Sequence, residues 1–137
     1  MRLEFPGEPI AKSRHRHGTT SSGKKISYDI QKKAKEVVKW LALKQLHDST
    51  NEFGTFIPSK SAFEVILEFH LITPDFKKPN VHAVCKPDID NLVKFYLDAL
   101  NRIVWEDDKQ IISLHASKTY SDSPKTVITI HPLGTLK

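Results

Sequence analysis

The chain has 137 residues, of which 39% are hydrophobic and 27% are charged, a composition that suits one ordinary globular domain with a single core. No apolar run approaches the roughly 18 residues that a membrane-spanning helix needs, and the N-terminus lacks the apolar stretch of a signal peptide, so we expect a cytoplasmic protein without a membrane segment. The single cysteine, Cys85, excludes an internal disulfide and a cysteine-based zinc site.

Charge is unevenly distributed along the chain. The net charge is +5, which favours an acidic partner, above all nucleic acid. Residues 1–45 contain eleven Lys and Arg against four acids, whereas residues 86–110 contain four basic and six acidic groups, so the rest of the chain carries +7. A basic surface around one acidic area suits a metal-using enzyme that acts on a polyanion. Chance separation of charge in a small protein is the alternative interpretation.

The first predicted elements are a short strand over 2–6, an exposed loop over 7–25 and a helix. The helix is expected to begin at a cap formed by Ser27 or Asp29 and to end near His47. Its apolar residues recur at spacings of three and four: Ile30, Ala34, Val37, Val38, Leu41 and Leu46.

The second half of the chain predicts a loop over 51–61 and a strand with one buried face over 62–71. After a loop over 75–87, a helix is expected from Asp88 as N-cap to about Arg102. Its core face is predicted to consist of Ile89, Val93, Tyr96, Leu97 and Leu100. Two more strands, over 111–120 and 127–130, complete the order β-α-β-α-β-β. This order predicts one α/β (α+β) domain over residues 1–137, with a mixed β-sheet and two main helices.

Acidic residues mark the start of the second helix and a later turn. Backbone N–H groups and the helix dipole favour the negative charges of Asp88 and Asp90 there, and Lys94 shares one helical face with Asp90. Carboxylates are the ligands that Mg²⁺ prefers, and a third can come from Glu106-Asp107-Asp108. A bound metal would polarise a phosphoryl group and activate water, while Lys94 stabilises developing charge.

Spacing alone leaves a purely structural interpretation open. In that interpretation Asp88 is only an N-cap, Asp90 and Lys94 form a surface ion pair, and the acidic turn is solvated. Spacing also does not choose between Asp107 and Asp108 as a ligand.

Two sequence blocks resemble a known family. The run Lys86-Pro87-Asp88-Ile89-Asp90-Asn91-Leu92-x-Lys94, followed by Asp98-Ala99-Leu100-Asn101 and Trp105-x-Asp107-Asp108-x-Gln110-Ile111, is similar to the signature of the RusA family of Holliday junction resolvases. The opening Gly7-x-Pro9-x-x-Lys12-x-Arg14-x-Arg16 resembles the family more loosely. Glu106, before the Asp pair, has no counterpart in the signature.

The resemblance implies a small mixed α/β fold, a homodimer, and Mg²⁺-dependent paired cleavage of four-way DNA junctions in bacterial or phage recombination and repair, with Mn²⁺ as a possible substitute. Carried over by position, the metal ligands are Asp88, Asp90 and Asp108, with Asp107 as an alternative ligand. Lys94 completes the implied catalytic set, and Asn91 has an orienting role.

Basic residues supply candidate DNA contacts. The phosphate-contacting candidates are Lys12, Arg14, Arg16, Lys24, Lys25 and Lys86. The alternative is a solvated loop that contacts nothing. Phe76 is a candidate to stack on a distorted junction.

The histidines, the cysteine and the tryptophans give less support for a functional role. The seven histidines lack metal-ligand spacing, and Cys85 is predicted to be a small buried apolar group. Trp40 and Trp105 are predicted in the core or a dimer interface.

The leading hypothesis is therefore a metal-dependent endonuclease acting on branched DNA. A non-catalytic DNA-binding or architectural protein with the same fold is the second hypothesis, and a small-molecule phosphohydrolase is the third.

Overall fold

The computed structural model describes residues 1–13, 16–19, 21–23, 25–28, 31–48, 57, 60–75, 79 and 81–135, with backbone only for 16–19, 25–28, 134 and 135. The elements are β1 (Arg2–Pro6), β2 (Arg16–Thr19), β3 (Lys25–Tyr28), α1 (Lys32–Asp48), β4 (Ser61–Ile72), α2 (Ile89–Leu100), a 3-10 turn (Asp108–Gln110), β5 (Ile111–Ser121) and β6 (Lys125–Thr135). In this described part, no helix is both long and apolar enough to cross a membrane.

A four-stranded sheet in the order β1-β6-β4-β5 forms the centre of the fold. Strand β6 runs antiparallel to β1 and β4, whereas β5 runs parallel to β4. Parallel neighbours need a crossover connection, and α2 lies in the connection between β4 and β5. The mixed sheet and two main helices confirm the predicted α+β fold class.

Both helices pack on one face of this sheet. Strand β4 alternates fully buried residues, among them Val65, Leu67 and Phe69, with partly exposed ones on its other face. The buried residues join the inner side chains of both helices in one core. From α1 these are Val38, Ala42 and Leu46, and from α2 they are Leu92, Phe95, Tyr96, Ala99 and Leu100.

The predicted exposed loop over 7–25 is wrong in its second half. Strands β2 and β3 pair there as a separate antiparallel ribbon, with Arg16 opposite Tyr28 and Thr19 opposite Lys25. Ser27 lies within β3 and does not cap α1, which begins at Lys32. The other predicted cap, Asp29, lies outside the described residues. Gly, Ser and Thr are frequent in this segment, and the alternation of apolar with polar residues is limited to Ile26 and Tyr28, so the local signal for a ribbon is weak.

The predicted buried faces of both helices need correction. On α2, Leu92, Phe95 and Ala99 are buried, whereas the predicted core residue Ile89 is exposed, and Val93 and Leu97 are only partly buried. The helix is apolar over more than one face, so more than one set of its apolar residues has helical spacing. Packing on the sheet decides which set is buried. On α1, the predicted core residue Val37 is likewise exposed.

Three further residues are placed by the structure. Trp105 is fully buried, as predicted for a core residue, whereas Trp40 is largely exposed within the chain. Cys85 is exposed, which corrects its predicted burial. Its apolar type does not bury it, because it lies in the loop before α2, next to the exposed Val84. Phe76 lies outside the described residues.

Candidate active site

The start of α2 presents Asp88 with a free carboxylate. Asp88 is the N-cap by backbone conformation, and its main-chain oxygen accepts hydrogen bonds from Asn91 N at 3.1 Å and Leu92 N at 3.2 Å. Its side chain makes no capping hydrogen bond, although an Asp at this position usually does. The exposed carboxylate is therefore available to another cationic or donor group.

Lys118 on β5 holds the loop that leads to Asp88. Its Nζ donates to the carbonyl oxygen of Cys85 at 2.5 Å and to that of Pro87 at 2.9 Å. Its own carbonyl oxygen accepts from Ala83 N at 3.2 Å. The Lys86-Pro87 peptide bond in this loop is cis. The position of Asp88 is thus tied to the sheet by a lysine that no sequence motif indicates.

Asp90 and Lys94 lie on one exposed face of α2. The Asp90 Oδ2 and Lys94 Nζ atoms are 3.5 Å apart, and both side chains are more than half exposed. A surface pair of this kind contributes at most about 1 kcal/mol to stability. Both groups therefore remain accessible to a ligand at little energetic cost.

The acidic turn uses Asp107 as a structural cap. The Asp107 Oδ1 atom accepts from Lys109 N at 3.0 Å, and Gln110 Oε1 accepts from the backbone N–H groups of Asp107 and Glu106, both at 3.0 Å. The buried Gln110 also donates to Ser61 O on β4 at 2.9 Å. This capping box fixes the turn against the sheet and engages one Asp107 oxygen within the backbone.

Asp108 has a different environment from its neighbour. Its Oδ1 accepts a hydrogen bond from Trp105 Nε1 at 2.6 Å, and the Trp105 ring packs on Phe63 in the core. Burial raises the pKa of the Asp108 carboxyl above its ordinary value, and the charges of Asp107 and Asp98 raise it further, against the opposing effect of the Trp105 hydrogen bond. Asp108 is thus a half-buried carboxylate among other negative charges.

Asp98 connects α2 to the basic residues of α1 and the N-terminal segment. Its Oδ2 lies 2.8 Å from Lys35 Nζ and 3.6 Å from Lys12 Nζ. The hydrogen bond from Lys35 is the main reason why the pKa of Asp98 is lowered, and the charges of both lysines add to this. Asp98 lies four residues beyond Lys94, so spacing alone could have added it to the acidic set.

The N-terminal segment lies along α2. Lys12 N donates to Asn91 O at 2.8 Å, and Ile10 N donates to the Tyr96 hydroxyl at 3.2 Å. The same hydroxyl accepts from Thr126 Oγ1 on β6 at 3.0 Å. These contacts bring Lys12 to the helix that carries Asp88, Asp90 and Lys94.

The other basic candidates are placed less completely. Lys86 is exposed, two residues before Asp88. Arg14 and Lys24 lie outside the described residues. Arg16 and Lys25 are described by backbone alone, near opposite ends of the β2–β3 ribbon strands.

A divalent cation fits the donor chemistry of this region. Carboxylates are preferred Mg²⁺ ligands, and a bound cation would oppose the effects of burial and of the neighbouring acids, which raise the pKa of Asp108. Within the described ranges, however, no group of three or more His, Cys, Asp or Glu side chains is arranged to hold a metal ion. The carboxylates are thus the right donors, without being gathered into a closed ligand set.

Comparison with known proteins gives a match to a family model and a match to a curated relative. Residues 6–131 match the model of a family described as endodeoxyribonuclease RusA. A segment of 58 residues is 38% identical to the uncharacterized protein YqaN of Bacillus subtilis (strain 168), covering 42% of this chain and 41% of the relative. The matched segment therefore spans less than half the length of that curated relative, whereas the family model spans nearly all of this chain.

Proposed function

The chain belongs to the RusA endodeoxyribonuclease family, and from this premise we propose that it hydrolyses phosphodiester bonds in branched DNA, with the four-way Holliday junction as substrate. The observation that carries the proposal is the start of α2. There, Asp88 lacks a capping bond and Asp90 is accessible beside Lys94, in a chain of net positive charge. Accessible carboxylates on a basic protein suit metal-assisted attack on a polyanion.

The proposed metal is Mg²⁺, with Mn²⁺ as a substitute, held by Asp88, Asp90 and Asp108. Asp107 is the less suitable ligand of the acidic pair, because one of its oxygens is engaged in the capping box. When bound, the metal would polarise the phosphoryl group and lower the pKa of a coordinated water.

Protein groups would position the reacting phosphate. Lys94 offers a mobile positive charge next to Asp90. Trp105 donates to Asp108 and so orients that carboxylate from the core. Lys12 and Lys86 lie near the same helix start and would bind flanking phosphates.

Paired cleavage adds a requirement for two sites. Symmetric cuts across a nearly two-fold junction need two copies of the active site related by a similar axis, so the proposed working form is a homodimer.

A non-catalytic junction-binding protein is the second candidate function. The absence of a three-ligand metal cluster within the described residues favours it. Such a protein would bind junctions equally well with and without Mg²⁺ and would never cut them.

The deciding experiment incubates the purified protein with a labelled synthetic four-way junction, with and without Mg²⁺, and maps the products at nucleotide resolution. We expect symmetric nicks that require Mg²⁺. Asp90→Asn should reduce the cleavage rate by at least about a thousandfold while junction binding is retained or strengthened, because a ligand is lost and phosphate repulsion falls.

Asp122→Asn is the matched control, because Asp122 is an exposed acid in the β5–β6 turn. It should cut at the parental rate. An Asp90→Asn protein that cuts as fast as the parent would refute the assigned site. Binding without cleavage by the parent protein would establish the second candidate instead.

A further inference from the structure

The outer face of α1 carries large apolar side chains that the described part of the chain leaves uncovered. Trp40 is 66% exposed, and Val37 and Leu43, three residues before and after it, are 59% and 47% exposed. They lie on one helical side, opposite the buried Val38, Ala42 and Leu46. A contiguous exposed apolar strip of this kind marks an interaction surface, and exposed tryptophan is a common anchor of such surfaces.

The sequence of this face is complementary to itself. When two copies of a helix pack antiparallel about a two-fold axis at Trp40, each residue faces the one equally far on the other side of Trp40. Val37 then opposes Leu43, and Trp40 meets Trp40. Glu36 opposes Lys44, and Lys32 opposes Asp48.

These charged residues are all exposed and accessible. Lys33 lies opposite His47 in this arrangement, and that pair does not combine opposite charges. The arrangement therefore has an apolar centre flanked by pairs of opposite charge, as in interfaces between identical subunits.

We propose that this α1 face, made of Glu36, Val37, Trp40, Leu43 and Lys44, is the interface between two copies of the chain. The choice of a second copy as occupant rests on the proposed function, because paired cleavage needs two sites. The charge pattern supports the same choice independently. A second α1 places a lysine opposite each acid of this face, Lys44 opposite Glu36 and Lys32 opposite Asp48.

The β5 edge is the competing surface for self-association. Ile112 and Leu114 on that strand are 65% and 43% exposed, and β5 is the last strand of the sheet. Ile112 is therefore a matched control for Trp40, with nearly the same exposed fraction.

The first test is the mass of the full-length protein by sedimentation velocity, without DNA or metal. We expect a dimer for the parent and for Ile112→Glu, and a monomer for Trp40→Glu, with melting temperatures that confirm folding. A monomeric parent would overturn the proposal, and so would a dimer that Ile112→Glu dissociates and Trp40→Glu does not.

The second test uses the reciprocal charges. Glu36→Lys places a lysine against Lys44 of the second copy, and Lys44→Glu places two acids together, so each variant alone should raise the dimer dissociation constant by about tenfold or more. In an equimolar mixture of the two variants, a mixed dimer has a lysine facing a glutamate at both pairs of positions, so the mixture should recover dimers that neither variant forms alone. The double variant Glu36→Lys/Lys44→Glu also restores opposite charges at both pairs, so it should regain the parental dissociation constant as a homodimer. A double variant that stays monomeric while folded contradicts the antiparallel pairing.

These readouts separate this inference from the proposed function. A dimer that depends on Trp40 but never cuts a junction would refute only the nuclease proposal. A protein that cuts junctions and keeps its dimer in the Trp40→Glu variant would refute only the α1 interface.

Discussion

At the scale of single residues, Asp107 and Asp108 show how environment separates identical side chains. Asp107 accepts a backbone hydrogen bond within its own turn, whereas Asp108 accepts one from the indole of buried Trp105. The pKa of Asp108 is raised by burial and by neighbouring acids. These contacts favour Asp108 as the proposed metal ligand, a choice that spacing along the sequence left open.

Lys118 is a second residue whose importance depends on its contacts. Lys118→Met removes the donor to the carbonyl groups of Cys85 and Pro87, which frees the loop before Asp88. We expect junction cleavage to slow by about ten- to a hundredfold with little loss of junction affinity, because a small displacement of a catalytic group is costly. Single-turnover rates and equilibrium binding measure the two effects separately.

Lys118→Arg is the informative companion variant, since it retains donors and should recover much of the rate. Lys125→Met, on strand β6 of the same sheet, is the control and should leave the rate unchanged. Equal losses of affinity, rate and melting temperature in Lys118→Met would indicate a general structural role instead.

At the scale of elements, α1 and α2 are joined through Asp98. Lys35 from α1 and Lys12 from the N-terminal segment both approach this α2 carboxylate. The cluster holds the basic segment along the helix that bears the candidate site. Asp98 thereby links three separate parts of the chain. In the sequence, each of these parts has the pattern of an ordinary charged surface.

Asp98→Asn tests this link through stability. The pKa of Asp98 is lowered in the folded state, so its ionised form stabilises the fold above the ordinary value of 3.8, and this stabilisation is lost as pH falls through the lower folded-state pKa. Because Asp98 is nearly half exposed, we expect a loss of only about 0.5–1 kcal/mol in the free energy of unfolding at neutral pH.

Urea denaturation at pH 7 and near pH 3 measures the effect. The difference in the free energy of unfolding between Asp98→Asn and the parent should be smaller at the lower pH. Asp122→Asn should show no comparable difference at either pH. If Asp98→Asn lowers the free energy of unfolding by the same amount at both pH values, the charge of Asp98 is not responsible for the loss.

The predicted elements differ in how well local pattern specified them. Strand β4 and helix α2 match their predicted bounds within a few residues, because strong alternation in the strand and apolar residues at helical spacings after Pro87 are local signals. Strand β6 extends from Lys125 to Thr135, well beyond the predicted 127–130, because pairing with β4 includes polar residues and Pro132. The β2–β3 ribbon has only a weak local signal.

At the scale of the whole molecule, positive charge outside the acidic segment should control DNA binding. Binding releases counterions from the phosphates, so the junction affinity should fall by at least about tenfold between roughly 50 and 200 mM salt. Lys12→Ala should reduce the slope of log affinity against log salt by about one if Lys12 contacts one phosphate. Fluorescence anisotropy across a salt series provides both values, and affinity that is insensitive to salt would contradict electrostatic binding.

Several properties of this protein follow from its sequence alone. The fold class, the start of α2 and the positions of Asp88, Asp90 and Lys94 depend on local periodicity, Pro87 and a family signature, all of which act over a few residues. The single-domain extent over 1–137, the Mg²⁺ requirement and the homodimer stay predictions.

Only the tertiary structure decided which stripe of α2 is buried, that Trp40 is exposed and Trp105 is not, and that Lys118 and Asp98 belong to the neighbourhood of the site. The physical reason is that burial and hydrogen bonding depend on residues distant in sequence. Lys118 meets Pro87 only because β5 returns beside β4 after α2. The acidic set named from the sequence is thereby sharpened into an accessible pair on α2, a capping Asp107 and a half-buried Asp108.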